Sequence, residues 1–242
     1  MRRLPERLAN AALGALLLAG ALTLGARAHA EELKPYQATY NGIWHGMTVA
    51  VSNLKFEQSG DTWTYSSVSR AQGVGRFVSD LSPNQTSVVK LTATGIQPQS
   101  YTSGASNGGK VSVDLKYNWE SRRVTGIYDG ATVDLELTPE MQDDASVQLA
   151  LMVELLHGRT PDSFQLIDKD SVREYQFTRD GEETVTTPMG SVATVIYRAQ
   201  KKYSPRITSF WLAPDRGFIP MKVEQKKGKD VQWTLQIQKL SR

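Results

Sequence analysis

The sequence predicts a mainly β chain: a strongly curved antiparallel sheet, barrel or half-barrel, with one packed helix. Three observations carry this. Apolar and polar residues alternate along much of the chain beyond residue 35, the period of a strand with one buried face. Turn signals separate the alternating runs at short intervals, and short links imply antiparallel pairing, because parallel strands need a long crossover. One stretch near residue 150 breaks the rhythm and reads as a helix.

Tyr36, Ala38 and Tyr40 open the alternation, followed by Leu54 and Phe56, then Trp63 and Tyr65. Val111, Val113, Leu115 and Tyr117 form a clean series, as do Val133, Leu135 and Leu137. Tyr175 and Phe177 come next, then Ile219, Met221 and Val223, and finally Trp233, Leu235 and Ile237. Ser59-Gly60-Asp61, Asn107-Gly108-Gly109, Asp129-Gly130, Asp180-Gly181 and Lys227-Gly228-Lys229 read as hairpin turns, since Gly and Asn tolerate the positive φ of tight hairpins. The Ser-, Gly- and Asn-rich stretch from Tyr101 to Lys110 reads as an exposed loop.

The helix is expected to follow Asp143-Asp144, either of which can cap its N-terminus. Val147, Ala150, Leu151 and Leu155 share a face, while Leu149, Val153 and Leu156 widen the apolar surface beyond a stripe. Such a helix is buried on several sides. Gly158 and Pro161 end it, giving about 12–15 residues packed inside or across the sheet.

Location is read from the N-terminus. Arg2, Arg3 and Arg7 precede an uncharged apolar run, Ala11 to Ala26, and Ala28-His29-Ala30 offers small residues for a signal peptidase. The run is shorter than a bilayer span requires. Residues 1–30 therefore read as a cleaved export signal, and 31–242 as one soluble periplasmic domain. The chain carries 28 Lys+Arg and 25 Asp+Glu, a net +3. Residues 1–30 hold four arginines and one glutamate, which leaves 24 basic and 24 acidic residues beyond them. That balance argues against a nucleic-acid partner. Cysteine is absent, which excludes disulfides, thiol catalysis and zinc–thiolate sites.

Motifs for chemistry are weak. Gly104-Ala105-Ser106-Asn107-Gly108 matches G-x-S-x-G, but strand pattern follows where a hydrolase needs a helix. His45 and His157 belong to no ligand-spaced motif, so no metal site is expected. Asp143-Asp144 could serve as paired acids, but capping explains them without chemistry. No catalytic residue, metal or cofactor is assigned. Aromatic residues suit lipid and carbohydrate pockets, and the ligand-binding candidates are Trp44, Trp63, Trp211 and Asp215. The turn Pro214-Asp215-Arg216-Gly217 does not itself account for Trp211.

Trp211-Leu212-Ala213-Pro214-Asp215, followed by Pro220 and an alternating strand, resembles the exported bacterial family called domain of unknown function 3108. Tyr36-Gln37-Ala38-Thr39-Tyr40 with Gly46 resembles its opening strand pair. Asp143-Asp144-Ala145-Ser146 resembles its acidic helix start, though an Asp-Pro form is expected there. Thr187-Pro188-Met189-Gly190 resembles its Thr-Pro-x-Gly turn. The resemblance spans about Pro35 to Leu240. It implies an exported, β-rich protein without assigned activity.

The expected function is non-catalytic binding or carrying of an amphipathic envelope ligand, a lipid or glycolipid. A curved sheet with a helix is similar in outline to the envelope lipoprotein carriers, which implies an apolar cavity of at least about 300 Å³. The alternative is a protein-interaction or structural factor in envelope assembly, with a filled core and an exposed patch. A hydrolase using Asp215 or a carboxylate pair is the third reading. A membrane β-barrel is disfavoured because charges interrupt several outward faces.

Overall fold

The computed structural model describes residues 32–77, 84–104 and 111–242. The segment read as an export signal, the Asn107-Gly108-Gly109 turn and most of the G-x-S-x-G match lie outside the described residues. Among the described residues, no helix is long and apolar enough to cross a membrane.

The first half of the chain supplies β1 (Tyr36–Trp44), β2 (Met47–Ser59), β3 (Thr62–Ala71), β4 (Asn84–Thr92), β5 (Gly95–Gly104), β6 (Val111–Asn118), β7 (Arg123–Tyr128) and β8 (Ala131–Glu136). The second half supplies β9 (Met141–Gln142), helix α1 (Ser146–Leu156), β10 (Ser163–Asp168), β11 (Ser171–Thr187), β12 (Gly190–Lys201), β13 (Arg206–Ala213), β14 (Ile219–Lys227) and β15 (Asp230–Ser241). All the strands form one sheet in the order β8-β7-β6-β5-β4-β3-β2-β1-β15-β14-β13-β12-β11-β10-β9. β1 to β8 and β10 to β15 each form an up-and-down meander. The first strand joins the last, with Gln37 opposite Ser241 and Ile43 opposite Thr234. The parallel pair is β9 with β10, whose connection runs through α1 and so has the length a parallel crossover needs.

Of the two expected forms, barrel and half-barrel, the sheet takes the open one. β8 and β9 are the two sheet edges and do not pair among the described residues. The reason lies in the connection. After β8 the chain must enter the curl, form α1 and return as β10, so the helix crossover occupies the seam that a ladder would fill.

The helix sits inside the curl. It packs against β5 and β9, while its Met152 and Leu156 line one narrow crevice with Tyr36 of β1 and Ile219 of β14. Strands so far apart in sheet order can share one helix only when the sheet bends around it. Val147, Leu149, Ala150, Leu151, Met152 and Val153 are all buried, as an all-round apolar helix requires. The inward faces of both halves join one continuous core that includes Tyr36, Phe56, Leu115, Val133, Phe177, Leu212, Met221 and Ile237. Each fully buried large side chain contributes about 1.5–3 kcal/mol. The crevice between α1, β1 and β14 holds only ≈ 10 Å³, the room of about one water. The expected apolar cavity is therefore absent at that contact, because side chains occupy the space.

Three local expectations need correction. Tyr101 to Gly104 is not loop but the end of β5, with Tyr101 buried. Asp180-Gly181 is not a hairpin turn. It is a bulge inside the long β11, where the register shifts between Arg179 and Gly181. Gly181 there has φ +119, and a glycine within a strand marks a bulge as readily as a turn. The regular helix is 11 residues rather than 12–15, because its first turn is taken by the capping residues.

Candidate functional site

The seam opens at one end into a groove of ≈ 480 Å³. Four links build it. The β4–β5 turn brings Thr94, Gly95 and Ile96; the β8–β9 link brings Pro139 and Glu140; α1 brings Ala150 and Glu154; and the helix exit and β10 bring Arg159, Pro161, Ser163 and Phe164. Ile96, Ala150 and Phe164 are buried and apolar, while Glu140, Arg159 and Ser163 are exposed.

The helix end explains why Arg159 stands there. Gly158 takes a left-handed φ of +70 and its N–H donates to the Leu155 carbonyl at 3.0 Å; the Arg159 N–H donates to the Glu154 carbonyl at 2.8 Å. This double bond pattern is the glycine-ended helix stop. It folds the Arg159 side chain back so that Nε and Nη2 each donate to the Glu154 carboxylate at 2.6 Å. That two-pronged bond holds the guanidinium still more firmly protonated. Gln142 of β9 forms part of the wall. Its Nε2 donates to the Ile96 carbonyl at 3.1 Å, and its buried Oε1 accepts no hydrogen bond among the described residues. The groove thus pairs an apolar floor with a charged rim, which suits a ligand with both characters.

At the start of α1, Asp143 is 1 % exposed. Its Oδ1 accepts from the N–H groups of Ala145 at 2.9 Å and Ser146 at 2.7 Å, and its Oδ2 accepts from Ser87 Oγ at 2.7 Å. The Asp143 N–H in turn donates to Ser146 Oγ at 2.9 Å, a reciprocal cap. The Asp143 carbonyl accepts the first helical bond, from Val147, so Asp143 is the cap in function. Burial pushes its carboxyl up to about 6, against the three hydrogen bonds that pull it down. Oδ1 is thus committed to the cap and Oδ2 to Ser87. Asp144 points to solvent and accepts from Tyr128 at 3.1 Å. The dense wall behind it raises its carboxyl to about 6, with Asp168 and Asp129 adding and Tyr128 opposing. Water on its open side screens that effect, so little stability rides on it. Around Asp143, the buried tyrosines Tyr101 and Tyr117 are held far above their ordinary pKa, first by burial and then by the two aspartates.

The four residues expected to bind ligand are dispersed, and none lines the groove. Trp44 stands at the β1–β2 tip, edge-on to His45 at 4.5 Å. His45 itself has φ +47 in that turn. Trp63 is core, stacked on Phe56 at 4.9 Å. Trp211 is buried; its Nε1 donates to Glu183 at 2.7 Å and Lys222 Nζ lies 4.0 Å from its ring centre. Those partners account for the tryptophan that turn chemistry left unexplained. Asp215 is exposed in the short helical turn Pro214–Arg216, which Gly217 closes with φ +61. His157 is the C-cap of α1, directly before Gly158. Gln142, Glu154, Arg159 and Phe164 were not legible as one wall with Ile96, because Ile96 lies 46 residues from Gln142 and meets it only when the sheet curls. The signal within reach was local: Glu154 and Arg159 bracket Gly158, the spacing of a self-paired helix end.

A family model described as protein of unknown function (DUF3108) matches residues 35–230. No curated protein matches the chain. Two solved structures are similar to it. One, from Bacteroides fragilis NCTC 9343, is described as a candidate exported protein with YmcC-like fold; it is 12 % identical, with 87 % of this chain and 97 % of that chain covered and a TM-score of 0.34. The other, a candidate lipoprotein from Parabacteroides distasonis ATCC 8503, is 11 % identical, with 86 % and 96 % covered and a TM-score of 0.32.

Proposed function

We propose, for a chain that belongs to the family of proteins of unknown function DUF3108, a non-catalytic role outside the cytoplasm: binding an amphipathic envelope molecule, a lipid or glycolipid, in the seam groove. The observation that carries this reading is the groove itself. Its ≈ 480 Å³ falls within the range of small-molecule sites, and its buried Ile96, Ala150 and Phe164 lie beside the Glu154–Arg159 pair. The ≈ 10 Å³ crevice beside α1 argues against a ligand held deep in the curl, so the ligand lies along the seam. The commitment of Asp143 Oδ1 to the helix cap and of Oδ2 to Ser87 supports a non-catalytic role for that acid. The export reading of residues 1–30 supports the location.

The test is native mass spectrometry of the protein purified gently from its own envelope, with lipid extraction. A near-stoichiometric lipid or glycolipid is expected. It is lost in Ser163→Trp, which fills the groove from an exposed rim position. A bare, folded wild-type protein, or a ligand retained by Ser163→Trp, overturns the reading.

One observation favours a second reading, that of a protein-interaction factor. β8 is a sheet edge, and its outer backbone is open to a partner strand among the described residues. Crosslinking from Thr132 in the intact envelope tests it: a specific protein adduct supports it and the absence of one removes it.

A further inference from the structure

Three hairpin tips lie side by side at the rim of the curl remote from the groove. β1 ends at Trp44, and Ile43 pairs with Thr234 near the start of β15. Lys227, at the end of β14, pairs with both Asp230 of β15 and Arg206 of β13. β12 ends beside them at Lys201, and the Gly228 N–H donates to the Pro205 carbonyl at 3.0 Å, tying two tips together. The end of β3 lies at the same rim, where the Gln72 N–H donates to Val49. From β3 to β12 the rim spans about 30 Å at ordinary strand spacing.

This rim gathers exposed apolar side chains. Among the described residues seven large hydrophobics are exposed, and four of them are here: Met47 at 47 %, Val74 at 49 %, Tyr203 at 93 % and Val231 at 42 %. Trp44 stands beside Met47. The three tips also carry six cations and one acid, Asp230. Lys201 is paired with Asp168 and Lys226 with Glu224. Lys202, Arg206, Lys227 and Lys229 are exposed and make no ion pair among the described residues.

Tyr203 is the most telling of these residues. It has φ +63, a left-handed conformation that costs a side-chain-bearing residue about 1–2 kcal/mol and that glycine adopts freely. Neither folding nor turn chemistry asks for a tyrosine there. Its ring contacts the neighbouring Lys202 ammonium at 5.2 Å and is otherwise held out into solvent. An aromatic ring flanked by free lysines on a projecting tip matches the chemistry of the membrane interface, where tyrosine sits at headgroup level and cations meet lipid phosphates.

We propose that this rim docks the protein onto an anionic membrane surface, with Tyr203, Trp44 and Met47 entering the headgroup layer and Lys202, Arg206, Lys227 and Lys229 facing its phosphates. The site is independent of the groove, which lies at the opposite rim. Docking leaves the groove free at the far end of the strands.

The test is co-sedimentation of the full chain, expressed with its own N-terminal segment and purified as processed, with vesicles of equal phosphatidylglycerol and phosphatidylcholine and with phosphatidylcholine alone. Binding is expected to the anionic vesicles only, and to weaken as salt is raised. Reversal of Lys202, Lys227 and Lys229 to glutamate lowers the affinity about tenfold or more. Tyr203→Gly lowers binding about threefold or more while leaving the melting temperature equal or higher, since the left-handed position is relieved. Ile127→Ser, an exposed apolar site on β7 and so outside the β3-to-β12 span of these tips, leaves binding unchanged. Wild-type protein that ignores the anionic vesicles overturns the proposal. So does a Tyr203→Gly or charge-reversed protein that binds as well as wild type, or equal binding to both vesicle types.

Discussion

Asp143 shows how one residue can serve the helix, the core and a pH response together. The uncapped end of a helix leaves backbone N–H groups unsatisfied, and Asp143 satisfies two of them while also taking the Ser87 hydroxyl. Asp143→Ala removes all three bonds inside the protein and is expected to cost about 3 kcal/mol in urea unfolding. Asp143→Asn keeps an acceptor for the two N–H groups and is expected to cost much less. The pH dependence follows from the raised carboxyl. In the folded state it titrates near 6, above the unfolded value of about 3.9, so the folded state binds the proton more tightly. Its contribution is fully present below about pH 4 and is lost as pH rises through about 6. The stability of Asp143→Asn relative to wild type is therefore expected to improve between pH 4.5 and pH 8, by on the order of 2 kcal/mol. Chemical denaturation at both values checks this, and a difference that stays flat with pH rules it out. The cap was legible in the sequence, since an acid before an apolar run with serine three residues on is a helix-start signature. The depth of burial was not, because Ser87 lies 56 residues away. Trp211 offers a second residue-scale check. Trp211→Phe loses the donor to Glu183 and weakens the contact with Lys222, for an expected cost of about 1–2 kcal/mol by thermal or urea unfolding.

At the scale of elements, alternation revealed strands whose inner faces are apolar and missed those whose inner faces are polar. Val111, Val113, Leu115 and Tyr117 read plainly as the strand they form. β4 and β5 did not, because they turn Ser87 and Ser103 inward, and β5 places Pro98 at a register shift against Val88 and Val89. Glycine was equally ambiguous. Asp180-Gly181 has the composition of a turn, yet Asp180 is accommodated as a bulge and pairs with Arg198 on β12. The two strand glycines are expected to behave differently. At Gly181 an added Cβ meets nothing within 4 Å, so Gly181→Ala costs only the positive φ, about 1–2 kcal/mol. At Gly126 the Cβ would lie 1.9 Å from the Asp114 carbonyl oxygen of the neighbouring strand, with φ +148. Gly126→Ala must therefore push β6 and β7 apart, at a cost of about 3 kcal/mol or more. Hydrogen exchange locates the damage: amides of β6, β7 and β8 lose protection first in Gly126→Ala, while those of β12 to β15 keep it.

At the scale of the whole molecule, the topology has one consequence the alternation pattern could not announce. Period two gives strands and short turns give neighbours, but neither says that the first strand meets the last. Two halves, the meander β1 to β8 and the segment β9 to β15 with its α1 crossover, are joined covalently by the short link 137–140 and in the sheet by the ladder between β1 and β15. Their inward faces form one core. Burial of that core therefore waits for the pairing of residues separated by most of the chain, which costs loop-closure entropy and slows folding. The link and the ladder can be tested separately. A protease site placed at the exposed Glu140 is expected to leave two fragments that co-elute under native conditions, because the β1–β15 ladder and the shared core survive the cut. Removal of residues 230–242 keeps the link but deletes β15, and with it the buried Ile237 and the partner of both β1 and β14. The shortened chain is expected to lose its cooperative urea transition and to expose apolar surface to a hydrophobic dye. If it instead unfolds in one sharp transition, each meander holds its own core, and the central ladder is an accessory to the fold rather than its keystone.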